Sequence, residues 1–154
     1  MIDEVRIRDV EPTDLPIFYE HQLDEDATRM AAFPSRDRTA FDIHWATNIL
    51  GSPSAIAKTI LADGEVAGNI GSWEQDGVRL VGYWIGKEYW GQGIATRSLA
   101  AFLNVVTHRP LYAHVARHNS GSIRVLEKCG FTLDREESVE VSGGDVDELV
   151  LVLR

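Results

Sequence analysis

The stretch of residues 83–96 constrains the fold of this chain more than any other, because it joins a strand, a glycine loop and a helix start. It opens with an apolar run of strand type and turns into a loop that contains Gly91 and Gly93. Glycines let a backbone approach a ligand closely, and the first N–H groups of a helix have no partner within it. The stretch therefore predicts an anion-binding site. The apolar residues that then recur at helical spacing are Ile94, Ala95, Leu99, Phe102, Leu103 and Val106.

The charge of the first helical turn favours the same interpretation. That turn carries Arg97 and neither Asp nor Glu, which is unfavourable for the helix dipole but suited to a bound anion. A plain strand-to-helix turn is the alternative, and the loop alone leaves both open. No Gly-Lys-Ser/Thr sequence follows the glycines, so an NTP-binding P-loop is disfavoured.

Length and composition fit a single domain over residues 1–154. No apolar run approaches the ~20 residues of a membrane span. The net charge of −9 argues against nucleic acid and anionic membranes, and it suits a cationic partner such as an amine or simply serves solubility. The acidic N-terminus lacks a signal-peptide pattern, and Cys129 is the single cysteine, so we predict a cytoplasmic protein.

Turn signals and alternation of apolar residues predict the architecture. Asp-Gly turns at residues 63–64 and 76–77 indicate an antiparallel meander, and the strand–helix–strand order after it indicates a right-handed crossover. Residues 21–38 are polar and irregular and indicate a loop or a broken helix. The predicted fold is α/β (α+β), with a mixed, largely antiparallel sheet of about seven strands and helices on both faces. The predicted strands lie at residues 5–10, 55–61, 66–73, 79–85, 111–115, 131–141 and 148–153.

A second motif follows the crossover. Asn119-Ser120-Gly121-Ser122 opens a helix that ends in Glu127-Lys128-Cys129-Gly130-Phe131. Together with residues 83–96, this segment resembles the GNAT superfamily of acyl-CoA-dependent N-acyltransferases, and within it the branch that acetylates the N-termini of ribosomal proteins. The specific motifs cover residues 81–131. Either motif alone is weak, and the pair at this spacing is a strong indication.

The resemblance implies a binding site for acetyl-CoA, and we predict no metal because no group of residues has metal-ligand spacing in the sequence. The family's fourth strand lends backbone groups to the pantetheine arm and the thioester carbonyl, and the matching residues are Tyr83, Trp84 and Ile85. The family's loop N–H groups hold the pyrophosphate, and the matching residues are Gly91, Gln92, Gly93, Ile94, Ala95 and Thr96. Asn119 matches an asparagine that contacts pantetheine, and Ser122 matches a serine near the thioester sulfur.

Three positions depart from the family's usual pattern. Trp90 stands where the loop usually begins with Gln or Arg, so the positive charge must come from N–H groups, with Arg97 as a further candidate. Ala95 stands where glycine is usual, a change that the family tolerates. Leu126 stands where many members have a tyrosine that protonates the leaving thiolate, which leaves Ser122 as the substitute acid.

The implied reaction is direct attack of a free amine on an acetyl thioester, and it needs a base because an ammonium has no lone pair. We predict His114 as that base, because it lies on the strand after the crossover, where some relatives carry a glutamate. A hydrogen-bonded or solvent-facing strand histidine is the alternative. Glu88 and Glu140 are weaker candidates that fit ordinary surface positions. The possible acids besides Ser122 are Tyr83, Tyr89 and Tyr112.

The predicted function is transfer of an acetyl group from acetyl-CoA to a primary amine, in an enzyme that is a monomer or a homodimer. The acceptor classes left open are a protein N-terminus, an amino acid and another small amine. The rival hypothesis is a catalytically inactive coenzyme A or peptide sensor of the same fold, which the residues at positions 90 and 126 motivate. No cluster of His, Cys, Asp and Glu has metal-ligand spacing in the sequence.

Overall fold

In the computed structural model, which describes residues 2–141 and 144–154, seven strands form one sheet. Their order is β1-β2-β3-β4-β5-β7-β6. Neighbouring strands pair antiparallel except β4 and β5, which are parallel. The prediction of a mixed, largely antiparallel sheet of seven strands is confirmed. The strands are β1 (Val5–Asp9), β2 (Ile56–Ala62), β3 (Glu65–Gln75), β4 (Val78–Ile85), β5 (Leu111–Ala116), β6 (Thr132–Val141) and β7 (Gly144–Leu153).

Helices cover both faces of this sheet, as strand β2 shows through the alternation of its side chains. Ile56 and Ile60 pack with the core that contains α4 and α5, whereas Ala57 packs with a second cluster of Phe18, Phe41 and Trp45. Successive strand residues point to opposite faces, so the two clusters lie on opposite sides. The helices are α1 (Leu15–Leu23), α2 (Glu25–Ala31), α3 (Arg38–Ile43), which a π-helical segment (His44–Ile49) continues, α4 (Ile94–Phe102) and α5 (Ser120–Lys128).

The segment 21–38 resolves into the broken helix that was one of the two alternatives. Helix α1 ends at Leu23, and Asp24 then adopts an extended conformation and accepts a hydrogen bond from the Ala27 amide at 2.9 Å. This cap starts α2 in a new direction. Helix α2 ends at Ala31, and its C-cap residue, Ala32, has a φ of 55° in the left-handed region.

Two other predicted boundaries differ from the structure. Helix α4 ends at Phe102, before the last residue of the predicted helical pattern, Val106, which follows in a turn region but is still buried. Strand β7 begins at Gly144, four residues before the predicted start. The sequence Ser142-Gly143-Gly144-Asp145 also predicts a turn between the last two strands. This prediction lies partly outside the described residues, since only residues 144 and 145 are described and both belong to β7.

Strands β4 and β5 diverge from each other, and this divergence positions the site. Among the described residues, their pairing is confined to Arg79 with Leu111 and Leu80 with Tyr112. The later part of β4 therefore separates from β5 and leaves a cleft at its carboxyl end. On its other side, β4 remains paired with β3 up to Ile85, which keeps the open edge of the cleft rigid.

Gly130 followed by Phe131 predicts a Schellman end for helix α5, and the structure confirms it. The Phe131 amide donates to the Leu126 carbonyl at 3.1 Å, and the Gly130 amide donates to the Glu127 carbonyl at 3.0 Å. Gly130 has a φ of 96°, a conformation that glycine adopts without strain. This Schellman end fixes the direction in which the chain leaves α5 for β6. Within residues 2–141 and 144–154, none of the helices is long and apolar enough to span a membrane.

Candidate active site

A cavity of about 560 Å³ lies at the carboxyl end of β4. Four elements surround it: the end of β4, the glycine loop with the start of α4, the first turns of α5, and helix α2. Both sequence motifs therefore meet at one site, although they are separated by β5 along the chain. Ten of the predicted cofactor-binding residues line it: Tyr83, Trp84, Ile85, Gly91, Gly93, Ile94, Ala95, Thr96, Asn119 and Ser122.

The glycine loop has the conformation that its sequence requires. Gly91 and Gly93 have φ values of 75° and 74°, and Gly93 is the N-cap residue of α4. A glycine cap has no side chain that could accept from the first amides of the helix, so those N–H groups remain available to a ligand. Gln92 is the predicted residue that is absent from the lining of the described cavity, since its side chain donates to the Glu88 carbonyl at 3.2 Å.

Two residues at the start of α5 complete the opposite wall. Asn119 caps this helix by accepting a hydrogen bond from the Ser122 amide at 3.3 Å. The cap uses the Asn119 side-chain oxygen and the Ser122 amide, so it does not engage the Asn119 side-chain nitrogen or the Ser122 hydroxyl. Ser122 Oγ lies 2.6 Å from the phenolic oxygen of Tyr83, so a hydrogen bond joins α5 to β4 across the cleft.

The Tyr83 hydroxyl keeps its proton in this position. Burial raises the pKa of Tyr83 to about 12, and the hydrogen bond with Ser122 offsets only part of that rise. The phenol therefore stays protonated at neutral pH. Leu126, where the family resemblance places a tyrosine, is buried in the core and carries no exchangeable side-chain proton.

Helix α2 forms a wall of the site that the sequence did not predict. Ala27, Met30 and Ala31 line the cavity. Asp26 is ion-paired with Lys87, just before the glycine loop, and His118 Nε2 lies 2.9 Å from the Arg29 carbonyl oxygen. These contacts join α2 to the segment before the glycine loop and to the segment before α5.

The charges around the glycine loop differ in part from the prediction. Arg97 donates to the backbone carbonyls of Ile2 and Asp3 at 3.2 and 2.8 Å, so it holds the N-terminal segment instead of facing the cavity. Arg124 and Lys128 line the cavity from α5. They are four residues apart and so share a helix face, a pattern that the sequence carried but that pointed to the site only once Ser122 was placed.

His114 lies on β5, and the described lining of the cavity does not include it. Its Nδ1 is 2.6 Å from Glu148 Oε1 and 3.6 Å from Glu137 Oε1. The ligand-type atoms of these three side chains lie within 4.8 Å of one another. Sequence spacing could not predict this group, because its members come from three strands.

The remaining candidates have ordinary environments. Glu88 and Glu140 are exposed. Burial raises the pKa of the Cys129 thiol, which keeps it uncharged and a poor nucleophile.

Trp90 is part of the cavity wall, and its indole N–H donates to the Ile85 carbonyl at 2.9 Å. Tyr89 also lines the cavity, whereas Tyr112 is not among its described lining residues.

Comparison with known proteins agrees with this geometry. The family model of the acetyltransferase (GNAT) domain matches residues 4–132, which is most of the chain. The chain therefore belongs to the GNAT acetyltransferase family. A search of curated protein sequences finds no match.

Solved structures share the fold along nearly the whole chain. A GNAT acetyltransferase from Bacillus anthracis is 16% identical with a TM-score of 0.80, and the alignment covers 99% of this chain and 96% of that one. RimL, a ribosomal L7/L12 alpha-N-protein acetyltransferase solved with coenzyme A, is 20% identical with a TM-score of 0.77, over 97% and 94% of the two chains. Spermidine N-acetyltransferase from Vibrio cholerae, solved with coenzyme A and spermine, is 16% identical with a TM-score of 0.79, over 96% and 95%.

Proposed function

We propose that this protein is an N-acetyltransferase that transfers the acetyl group of acetyl-CoA to a primary amine. The observation that carries the proposal is the meeting of the glycine loop, the end of β4 and the Asn119–Ser122 helix start in one cavity. The structurally similar RimL and spermidine N-acetyltransferase were solved with coenzyme A, which supports the choice of cosubstrate. The acceptor classes remain a protein N-terminus, an amino acid or another small amine, and the net charge of −9 suits a cationic amine.

Different walls of the cavity would bind different parts of the cosubstrate. The uncapped N–H groups of residues 94–96 would donate hydrogen bonds to the pyrophosphate oxygens, with the positive end of the α4 dipole behind them. Arg124 and Lys128 would add positive charge for the phosphates. The end of β4 would hold the thioester, where a backbone N–H can stabilise the carbonyl oxygen as it gains charge. Holding both reactants together supplies a further large part of the rate.

Calorimetric titration tests the cosubstrate first. We expect one-to-one binding of acetyl-CoA and coenzyme A that weakens as salt increases, because charged groups hold the phosphates, and no comparable binding of ATP. A panel of amines should then identify acceptors that consume acetyl-CoA. Binding without turnover on a broad panel would favour the inactive sensor, and no binding at millimolar ligand would overturn both the enzyme and the coenzyme A sensor.

We propose His114 as the base, acting through water because the described cavity lining does not include it. Its contact with Glu148 would hold the imidazole in one orientation. His114→Gln should lower kcat about tenfold and leave the dissociation constant of acetyl-CoA within twofold, because a base acts on the amine and not on the cosubstrate. Initial rates across a pH series measure this effect.

The matched comparison for the His114 variant is Glu140→Gln, which changes an exposed residue of β6. We expect this variant to keep the wild-type kcat and pH profile. A His114→Gln enzyme with an unchanged pH profile, or a larger loss of kcat in Glu140→Gln, would contradict the assignment of the base.

A further inference from the structure

The hydrogen bond between Tyr83 and Ser122, at 2.6 Å, joins the β4 wall of the cavity to its α5 wall. Tyr83 comes from the diverging part of β4, and Ser122 comes from the first turn of α5. Both side chains line the cavity. The contact therefore lies inside the site and not at its rim.

The direction of this hydrogen bond follows from the two hydroxyl groups. Each can donate one hydrogen, but a phenol is the more acidic group and so the better donor, and an aliphatic hydroxyl oxygen is the better acceptor. On this chemical ground we assign Tyr83 as the donor and Ser122 Oγ as the acceptor. The Ser122 hydrogen is then directed away from Tyr83. The Ser122 amide already donates to Asn119, so the backbone that carries this hydroxyl is fixed as well.

Burial keeps the donor in its protonated form. The pKa of Tyr83 is raised to about 12, chiefly because the phenol is removed from water. At neutral pH the tyrosine therefore retains the hydrogen that it can donate to Ser122. A chain of two hydroxyl groups is also polarised in one direction, which strengthens the second hydrogen bond.

We propose that Tyr83 is a positioning residue that holds the Ser122 hydroxyl so that it donates a hydrogen bond to the sulfur of the departing coenzyme A. This inference rests on the proposed function. The amine nitrogen forms a bond to the carbonyl carbon, the carbon–sulfur bond breaks, and its electron pair leaves on sulfur. Ser122 donates to the resulting thiolate, which finally takes up the proton that the amine releases. Tyr83 keeps its own proton throughout.

Steady-state kinetics test this arrangement. Tyr83→Phe removes one oxygen atom and should lower kcat about fivefold to tenfold, with the KM for acetyl-CoA within twofold of wild type. Ser122→Ala should lower kcat at least as much. The double variant should lose no more than Ser122→Ala alone, because Tyr83 acts only through Ser122. Tyr112→Phe, on β5 and outside the described cavity lining, should keep the wild-type kcat.

A second measurement needs no acceptor. The thiolate absorbance of coenzyme A bound to the protein reports the pKa of its thiol, and a hydrogen bond to the thiolate lowers that pKa. We expect Tyr83→Phe and Ser122→Ala to raise it by about one unit relative to wild type. Arg124 and Lys128 line the same cavity in all variants, so their effect cancels in the comparison.

The outcomes separate this inference from the proposed function. If the wild type binds coenzyme A but acetylates no amine, the proposed function fails, and the thiol titration still decides the role of Tyr83. If the wild type turns over and Tyr83→Phe matches it in kcat and in thiol pKa, the inference alone is overturned. Additive losses in the double variant would also overturn it.

Discussion

Gly93→Val should weaken the binding of acetyl-CoA on the order of a hundredfold. Gly93 has a φ of 74°, and a β-branched residue is strongly disfavoured there. The loop must therefore change its conformation at the N-cap of α4. The N–H groups of residues 94–96 follow this cap directly, so their alignment with the pyrophosphate is lost together with the favourable glycine conformation. Calorimetry on the folded variant measures the dissociation constant.

The matched control is Gly64→Val, in the turn between β2 and β3. Gly64 has a φ of 83°, and a Cβ added there meets no atom within 4 Å, as at Gly93. The two substitutions thus impose similar backbone strain, one at the cavity and one away from it. Gly64→Val should be less stable than wild type and should still bind acetyl-CoA normally. Equal loss of affinity in both variants would show that strain acts through global stability, which would contradict the role of the loop.

Local sequence signals predicted much of the fold. The Asp-Gly turns at 63–64 and 76–77 produced the expected hairpins because these residues tolerate the positive φ of a tight turn, and both pairs have it. The Schellman end of α5 also depends on residues close together in sequence, and the parallel β4–β5 pair follows from the strand–helix–strand order of the crossover. The errors lie at the ends of elements, since α4 ends earlier and β7 begins earlier than predicted. At such ends, one residue more or less changes the free energy little.

The candidate site was predicted only where one segment of chain supplies it. The glycine loop and the start of α5 are each contiguous, so their residues could be named from the sequence. Helix α2 could not be placed over the cleft, because its position depends on contacts with residues such as Lys87 and His118 that are distant in sequence. Arg97 was misplaced for the same reason, since its partners are the carbonyls of Ile2 and Asp3.

Polar contacts between side chains of different elements could not be predicted from the sequence either. Tyr83 was one of several possible acids, and its contact with Ser122 depends on how far β4 and β5 diverge. His114 meets Glu148 and Glu137 only because β7 lies between β5 and β6 in the sheet, an order that does not follow the chain. Such tertiary contacts decide the roles of residues whose types alone fit several functions.

Asp14→Ala should lower the free energy of unfolding by about 3 kcal/mol, because it removes the centre of a buried polar network. Asp14 is 2% exposed, and its carboxylate accepts two hydrogen bonds from Arg8, at 2.7 and 2.9 Å. It also accepts from Thr59 Oγ1 at 2.7 Å and from the Glu11 amide at 2.8 Å. The variant leaves these donors without their acceptor, next to the cluster of Phe18, Phe41 and Trp45.

The pH dependence of stability provides a second sign of the same network. Burial opposes ionisation of Asp14, but the hydrogen bonds from Arg8, Glu11 and Thr59 outweigh it and lower the pKa to about 2, from 3.8. A lowered carboxyl pKa stabilises the folded state above the unfolded value, and this contribution is lost as pH falls from about 5 to about 2. The wild type should therefore lose stability over this range more steeply than Asp14→Ala.

The control for both effects is Asp9→Ala. Asp9 also pairs with a cation, Lys58, at 2.5 Å, but its side chain is 88% exposed, so water replaces the lost contact. Urea denaturation at pH 7 should give wild-type stability for Asp9→Ala and a large loss for Asp14→Ala. The difference in stability between the two variants would show that this network holds α1 on the sheet. Arg8 and Thr59 come from the paired strands β1 and β2, and Asp14 joins those strands to the start of α1. Equal stability of the two variants would mean that packing of the apolar cluster, and not this network, holds α1 on the sheet.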